Sequence, residues 1–410
     1  NGTLMTDARR NKYVMGETVR SAGLRAVKQL KTTSWNEIQA YLEDWRPNPF
    51  KVIVKPIDSA GSDGVTLCRS MEEARKAFGD IIGKTNVLGL VNECVLVQEY
   101  LEGQEYVIDM VSKEGEHKVV AVWAYDRRPA NGAHFVAFGQ RLLTYEDEHV
   151  AELIAYQKKV ATALGILNGP SHGEVKWFKD EPVLVEVGAR CHGAEGLWTP
   201  VADAVYGYNQ VQCTASVYTD AAAYEKIPAL PSDRKAYGFL KFLISYEAGV
   251  LDRMVPEAVA EITSMESYTG HQFFVDAGQG DTESKISKTE NCLSWAGAVK
   301  LAHADLAVLK ADIARIEFLE STQGALFSVR AITEAKRAVI VVDPFSTGAC
   351  VAAAFAEKAF KVIAVYGGNL EKYEKLKNLI PKDISIEFDA VIGLEGETSP
   401  MRPSVDPFKI

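Results

Sequence analysis

The sequence has no CxxC pair, no GxGxxG fingerprint, no Walker A motif and no long apolar run. Each absence excludes something. Six cysteines at 68, 94, 191, 213, 292 and 350 are scattered, which argues against a zinc site and for a reducing compartment. Without GxGxxG there is no dinucleotide-binding signature. No apolar stretch approaches the roughly 18–20 residues of a membrane helix, and no signal peptide is legible. A basic excess is lacking too: 45 Lys and Arg against 55 Asp and Glu give a formal net charge of −10. That disfavours nonspecific nucleic-acid binding while leaving room for a local basic pocket. A cytoplasmic protein with small-molecule partners is expected. The first residue is Asn, which fits a processed chain or a piece of a longer one.

What is present is an ordinary globular composition, 47% hydrophobic and 24% charged over 410 residues, enough for several domains. Apolar spacing predicts helices over 7–23, 34–45, 70–82, 148–166 and 202–218. β-Branched runs predict strands over 50–55, 94–101, 104–112, 117–127, 173–178 and 182–190, with Lys179-Asp180-Glu181 as the last turn. Residues 235–330 mix strands and turns with one helix. "RAVIVVDP", an Ala-rich helix over 346–359 and "KVIAVYG" then make one βαβ unit of a parallel α/β domain.

Three stretches carry chemistry. In "VKPIDSAGSDGV" (54–65) Lys55 ends an apolar strand, and Ser59, Gly61, Ser62 and Gly64 follow. Small residues let backbone N–H groups approach an anion, so the loop reads either as a phosphate cradle or as a solvated turn. "VQEYLEGQEY" (97–106) offers an extended segment, Gln98 to Leu101, whose backbone would suit a purine edge, and Glu105, a carboxylate suited to a ribose diol. Its alternative is an exposed acidic hairpin. Glu174 and Glu186 lie twelve residues apart on strands joined by a tight turn. Antiparallel pairing brings them together, and two carboxylates on apolar strands call for a cation such as Mg²⁺ held with nucleotide phosphates. Arg190, on the same face as Glu186, adds a fork for phosphate oxygens.

The ordered set of lysine with small-residue loop, acidic hinge and Glu…Glu-x-x-x-Arg resembles the ATP-grasp superfamily over roughly residues 7–220. "GPSHGEVKW" and "VEVGARCHGAEG" are most similar to its L-amino-acid ligases. The resemblance implies ATP and Mg²⁺, with Mn²⁺ as a substitute. It implies Lys12 and Lys55 on the phosphates, residues 59–65 (Ser59, Gly61, Ser62 and Val65 among them) as a lid, and Gln98, Glu99 and Leu101 at the adenine. Glu105 would hold the ribose and Glu174 and Glu186 the metal. Arg190 and Lys55 would be catalytic, with His172, His192, Gly193, Arg127 and Arg128 as candidate substrate contacts. Many members place Asn two residues after the second Glu as a metal ligand. Here Gly188 stands instead, which leaves one or two metals open.

The implied fold is α/β and α+β: an ATP-grasp fold, two α+β subdomains sandwiching ATP, plus a small Rossmann-like domain. Expected segments are linking helices (1–46), lid subdomain (47–105), catalytic subdomain (106–222), accessory α+β region (223–331) and a pre-ATP-grasp-type domain (332–410). The last is out of its usual order. It is either permuted or serves a neighbouring module or subunit, with "DPFSTG" (343–348) as a candidate anion site. The expected activity is ADP-forming ligation of a carboxylate and an amine through an acyl phosphate, on amino-acid substrates. The alternative is a catalytically degenerate ATP-binding regulatory or scaffold protein. Homo-oligomer and tandem-module arrangements both stay open.

Overall fold

Three two-residue turns build the central sheet. Glu114-Gly115, Asn131-Gly132 and Lys179-Asp180 each have positive φ at both positions, the geometry that matches strand twist in a tight hairpin. They join β5 (Glu105–Lys113) to β6 (Glu116–Ala130), β6 to β7 (Ala133–Leu143), and β8 (Gly169–Phe178) to β9 (Glu181–Gly188). The last turn is therefore Lys179-Asp180 alone, and Glu181 already belongs to a strand. β7 is a strand that the sequence reading did not separate out, although Asn131-Gly132 is the strongest short-range hairpin signal. The computed structural model describes residues 1–59, 63–275 and 284–330, and the backbones of two further strands.

The N-terminal helix predicted over 7–23 is two helices, α1 (Thr6–Arg10) and α2 (Lys12–Ser21). Asn11 interrupts them, because its side chain accepts from the N–H groups of Tyr13 and Val14 and caps α2. A smaller four-stranded sheet follows, ordered β1-β4-β2-β3, from β1 (Gln29–Thr32), β2 (Val52–Pro56), β3 (Thr66–Cys68) and β4 (Val95–Glu99). α3 (Trp35–Trp45) and α4 (Met71–Ile81) cover it through a core of Ile38, Leu42, Val52, Val54, Ala74 and Val97. Ser70 caps α4 by accepting from Glu73 N.

β5 to β9 lie in an eight-stranded antiparallel sheet. α5 (Val150–Ala163) packs on one face through Leu153, Ile154 and Val160, which meet Ile108, Met110 and Val175. The helix predicted over 202–218 is again two, α6 (Thr199–Tyr206) and α7 (Gln210–Thr219), broken at Gly207 with φ 83° and restarted by an Asn209 cap. After the short α8 (Ala221–Lys226), the region 223–331 is only in part a separate layer. Its β10 (Tyr237–Leu243) pairs with β7, extending the same sheet. β14 (Gly297–His303) and β12 (Tyr268–Phe273) continue that sheet, whereas β11 (Gly249–Met254), β13 (Lys285–Ile286) and β15 (Phe327–Arg330) form a separate three-stranded sheet, with α9 (Pro256–Thr263) and α10 (Leu306–Ser321) as the helices of the region.

The chain divides into two units, Asn1–Ala331 and Ile332–Ile410. In the second, β16 (Lys336–Ile340) and β17 (Phe360–Val365) pair in parallel, as a βαβ unit requires. The predicted 346–359 helix and the "DPFSTG" turn lie outside the described residues. No helix among the described residues is long and apolar enough to cross a membrane.

One buried ion pair ties α10 to the sheet. Lys241 on β10 meets both oxygens of Glu320 at 2.8 Å, and Ile244 N also donates to Glu320. Both side chains are essentially inaccessible. Removing one partner strands the other charge. Lys241→Met is therefore expected to cost about 3–5 kcal/mol in urea unfolding, and Lys241→Met/Glu320→Leu to recover most of the loss.

Candidate active site

The register set by the Lys179-Asp180 turn runs as far as Val175 opposite Leu184, and an irregularity there, with Val185 as the extra residue, places Glu174 directly opposite Glu186. Like charges in that position repel, and burial adds to the cost. The surroundings answer with cations. Lys12, held at the start of α2 by the Asn11 cap, places Nζ 3.1 Å from the Glu186 carboxylate. The same Nζ donates to the Ser59 carbonyl at 2.8 Å, which ties α2 to the base of the predicted lid. Lys55, buried on β2, lines the same cleft as both glutamates. Burial first, and then the charge of Lys12, push its ammonium down to about 8. Burial alone would raise the Glu186 carboxyl, but Lys12 and Lys55 hold it below the usual range.

Further along the cleft lies the acidic hinge. Gln98 and Glu99 belong to β4, which pairs with β1 and β2, so Tyr100 and Leu101 extend beyond the ladder. The Glu99 side chain is engaged by Arg25 at 2.8 and 3.0 Å, and that of Gln98 by Gln29 at 2.8 Å. Both side chains are thus engaged, and both residues are also paired in the β4 ladder. Glu105 is not a free carboxylate. Arg127 donates to it at 2.7 Å and Lys176 lies 3.7 Å away. Burial raises the Glu105 carboxyl, and these two cations outweigh it. Lys176 also donates to the Leu101 carbonyl at 3.2 Å, linking hinge and carboxylate. Gly103 has φ 135°, and a Cβ there would collide with the Trp177 carbonyl, so the turn beneath the hinge is confined to glycine.

Behind Glu174 lies a buried trio that the sequence reading found only in part. Asp109 on β5 meets His172 Nδ1 at 3.1 Å and His192 Nδ1 at 3.0 Å, and Trp123 Nε1 donates to it at 2.9 Å. Burial would raise Asp109, yet the two imidazoles hold it far below the usual carboxylate range. A carboxylate cannot donate, so both Nδ1 atoms must. Burial disfavours charge on His172, but Asp109 and Glu174, one on each side of its ring, push it up to about 9. His192 is pushed down to about 4 by burial, with His172 and Arg190 adding to the effect of burial against the pull of Asp109. Its ring stacks on Trp198 at 3.7 Å, and its buried Nε2 has no hydrogen-bond partner. Arg190 folds back over Gly188, where an added Cβ would come within 3.3 Å of its side chain. Gly193 lies beside the same guanidinium.

Not every candidate reaches the cleft. Lys12, Lys55, Ser59, Val65, Gln98, Glu99, Leu101, Glu105, Arg127, Glu174 and Glu186 line it. His172, Arg190, His192 and Gly193 are not among its lining residues, and neither is Arg128, which pairs with Asp126 and with Glu317 at 2.8 Å, joining β6 to α10. Alternation along the strand sends it and Arg127 to different surroundings. Gly61 and Ser62 lie outside the described residues. Tyr125, Phe135, Asn291, Cys292 and Trp295 also line the cleft and were not anticipated. The last three come from the 223–331 region, far away in sequence, and no local motif marks them. Asp109 did carry a signal, being the one acid inside the apolar run "YVIDMV".

Two opposed carboxylates with lysines at one end and an apolar, aromatic-lined end at the other fit a divalent cation held with nucleotide phosphates. Residues 48–197 match the ATP-grasp domain family. Among curated proteins the chain is 29% identical over 323 residues to dapdiamide A synthase of Enterobacter agglomerans, covering 77% of this chain and 72% of that protein. It is 26% identical over 235 residues to alanine–anticapsin ligase of Bacillus subtilis (strain 168), covering 53% and 48%. The crystal structure of L-amino acid ligase from Bacillus licheniformis superposes with a TM-score of 0.61 at 15% identity, over 80% of this chain and 73% of that one, a likeness of fold.

Proposed function

We propose that the protein is an ATP-dependent carboxylate–amine ligase that joins amino-acid substrates through an acyl phosphate. The observation that carries this reading is Glu174 opposite Glu186 with Lys12 beside them and Lys55 in the same cleft. Tyr100 and Leu101 would offer backbone groups to the adenine, and Glu105 the remaining lone pairs of its carboxylate to the ribose. Lys55 and Lys12 would take the phosphates, with Lys12 exchanging Glu186 for them. Glu174 and Glu186 would hold Mg²⁺, which supplies charge neutralisation when bound. Arg190, beyond the end of β9, would steady the transferring phosphoryl group and then the acyl phosphate. Residues 59–65, anchored at Ser59, would cover the site and exclude water, which otherwise hydrolyses that intermediate.

Phosphate release from ATP across a panel of amino-acid pairs tests this directly. At least one pair is expected to stimulate release and form an amide. ATP binding without stimulation by any pair would leave a nucleotide-binding protein and end the ligase reading. Glu186→Gln is expected to abolish release while retaining adenosine affinity.

The buried lysine gives a second test. Lys55, pushed down to about 8, is partly neutral above that pH in the free protein. Nucleotide phosphates favour its charged form, so ATP binding at mildly alkaline pH takes up a proton. Below about pH 7 it is already charged and uptake vanishes. Binding enthalpies in buffers of different ionisation heat measure this, and Lys55→Met is expected to remove the alkaline uptake.

A further inference from the structure

We propose that His172 is a protein ligand of the metal, taking the place that Gly188 leaves without a side chain. The inference rests on the metal–nucleotide reading of Glu174 and Glu186. The β8–β9 register pairs His172 with Gly188 and Glu174 with Glu186, with no irregularity between the two pairs. Side chains two apart on a strand share a face. His172 therefore stands on the face of the two glutamates, directly across from the position at which a second-strand ligand is missing.

The orientation of the ring is that of a ligand. Asp109 takes the Nδ1–H at 3.1 Å, which directs Nε2 toward Glu174, 3.4 Å from Oε1. Two ligand atoms at right angles around one metal at ~2.1 Å lie about 3 Å apart. The two atoms are joined by a hydrogen bond in which Nε2–H donates to Glu174, and a metal ligated by Nε2 would replace that proton. Metal-bound histidines almost always donate their other N–H to a carboxylate or carbonyl, and Asp109 provides that partner. Asp109 is itself fixed by Trp123 Nε1 at 2.9 Å, so the ring's place and direction are set before a metal arrives. His192 lacks this arrangement: its Nε2 has no carboxylate partner, and its ring is stacked on Trp198.

An imidazole in the set changes which ion fits. Imidazole nitrogen suits Mn²⁺ and other transition ions better than Mg²⁺, for which oxygen ligands are preferred. A site of two carboxylates, nucleotide phosphates and His172 thus favours Mn²⁺ over Mg²⁺ more than an all-oxygen site would.

The test is pulsed EPR of Mn²⁺ bound to the full chain with a non-hydrolysable ATP analogue, in unlabelled protein and in protein grown with ¹⁵N-histidine. A nitrogen coupling that changes with the label, persists in His192→Gln and is lost in His172→Gln is expected. Asp109→Asn is expected to weaken Mn²⁺ by roughly 10- to 100-fold. If Mn²⁺ binds in a Glu186-dependent manner but shows no histidine coupling, His172 is not a ligand and the metal site stands without it. A coupling that survives in His172→Gln also overturns the assignment. If Mn²⁺ affinity is indifferent to both the nucleotide analogue and Glu186→Gln, the metal reading itself fails. Absence of a histidine coupling in the labelled wild-type chain overturns the assignment even if a variant does not fold.

Discussion

Two glutamates face each other across a β-hairpin, and the organisation of the site follows from that constraint. Directly opposed carboxylates on buried strands are unfavourable unless cations neutralise them. Glu174 and Glu186 recruit that charge from two other parts of the chain, the start of α2 and the end of β2. Lys12 and Lys55 are themselves placed by ordinary local rules, an Asn cap and a strand paired on both sides. The small sheet must therefore lie over the large one, and the cleft between them is the product. A divalent cation with nucleotide phosphates satisfies all four side chains at once: the carboxylates gain a shared ion and the lysines gain anions.

The same logic extends along the cleft. Glu105 is neutralised by Arg127 and Lys176, and Lys176 in turn holds the hinge carbonyl of Leu101. Asp109 accepts from two imidazoles, of which His172 carries the counter-charge. Each buried acid on the central strands has a named counter-charge, and each counter-charge touches a second element. Lys12 reaches the Ser59 carbonyl as well as Glu186, joining α2 to both sheets through one ammonium group.

Much of this was legible in the sequence because it is local. The tight turn between two short strands brought Glu174 near Glu186, while the irregularity beside Glu174 that sets them directly opposite was not legible. Lys55 at a strand end and the order of the three stretches pointed to the family. Side-chain caps were less legible: Asn11 and Asn209 each divide what apolar spacing reads as one helix. Asn131-Gly132 marked a hairpin, yet the polar stretch around it hid β7. Long-range closure was not legible at all. Asn291, Cys292 and Trp295 reach the cleft because β10 joins the central sheet beside β7, and nothing near residue 291 records that pairing. Arg127 and Arg128 look alike in sequence, and only the structure separates the one beside Glu105 from the one on α10.

The central claim is that this cleft activates a carboxylate by phosphorylation. With the carboxylate substrate labelled with ¹⁸O in both oxygens, mass analysis of the released phosphate reads the path of the atoms. An acyl-phosphate route transfers one ¹⁸O to phosphate and leaves one in the amide. Unlabelled phosphate, with both labelled oxygens still on the substrate carbon, would contradict the account.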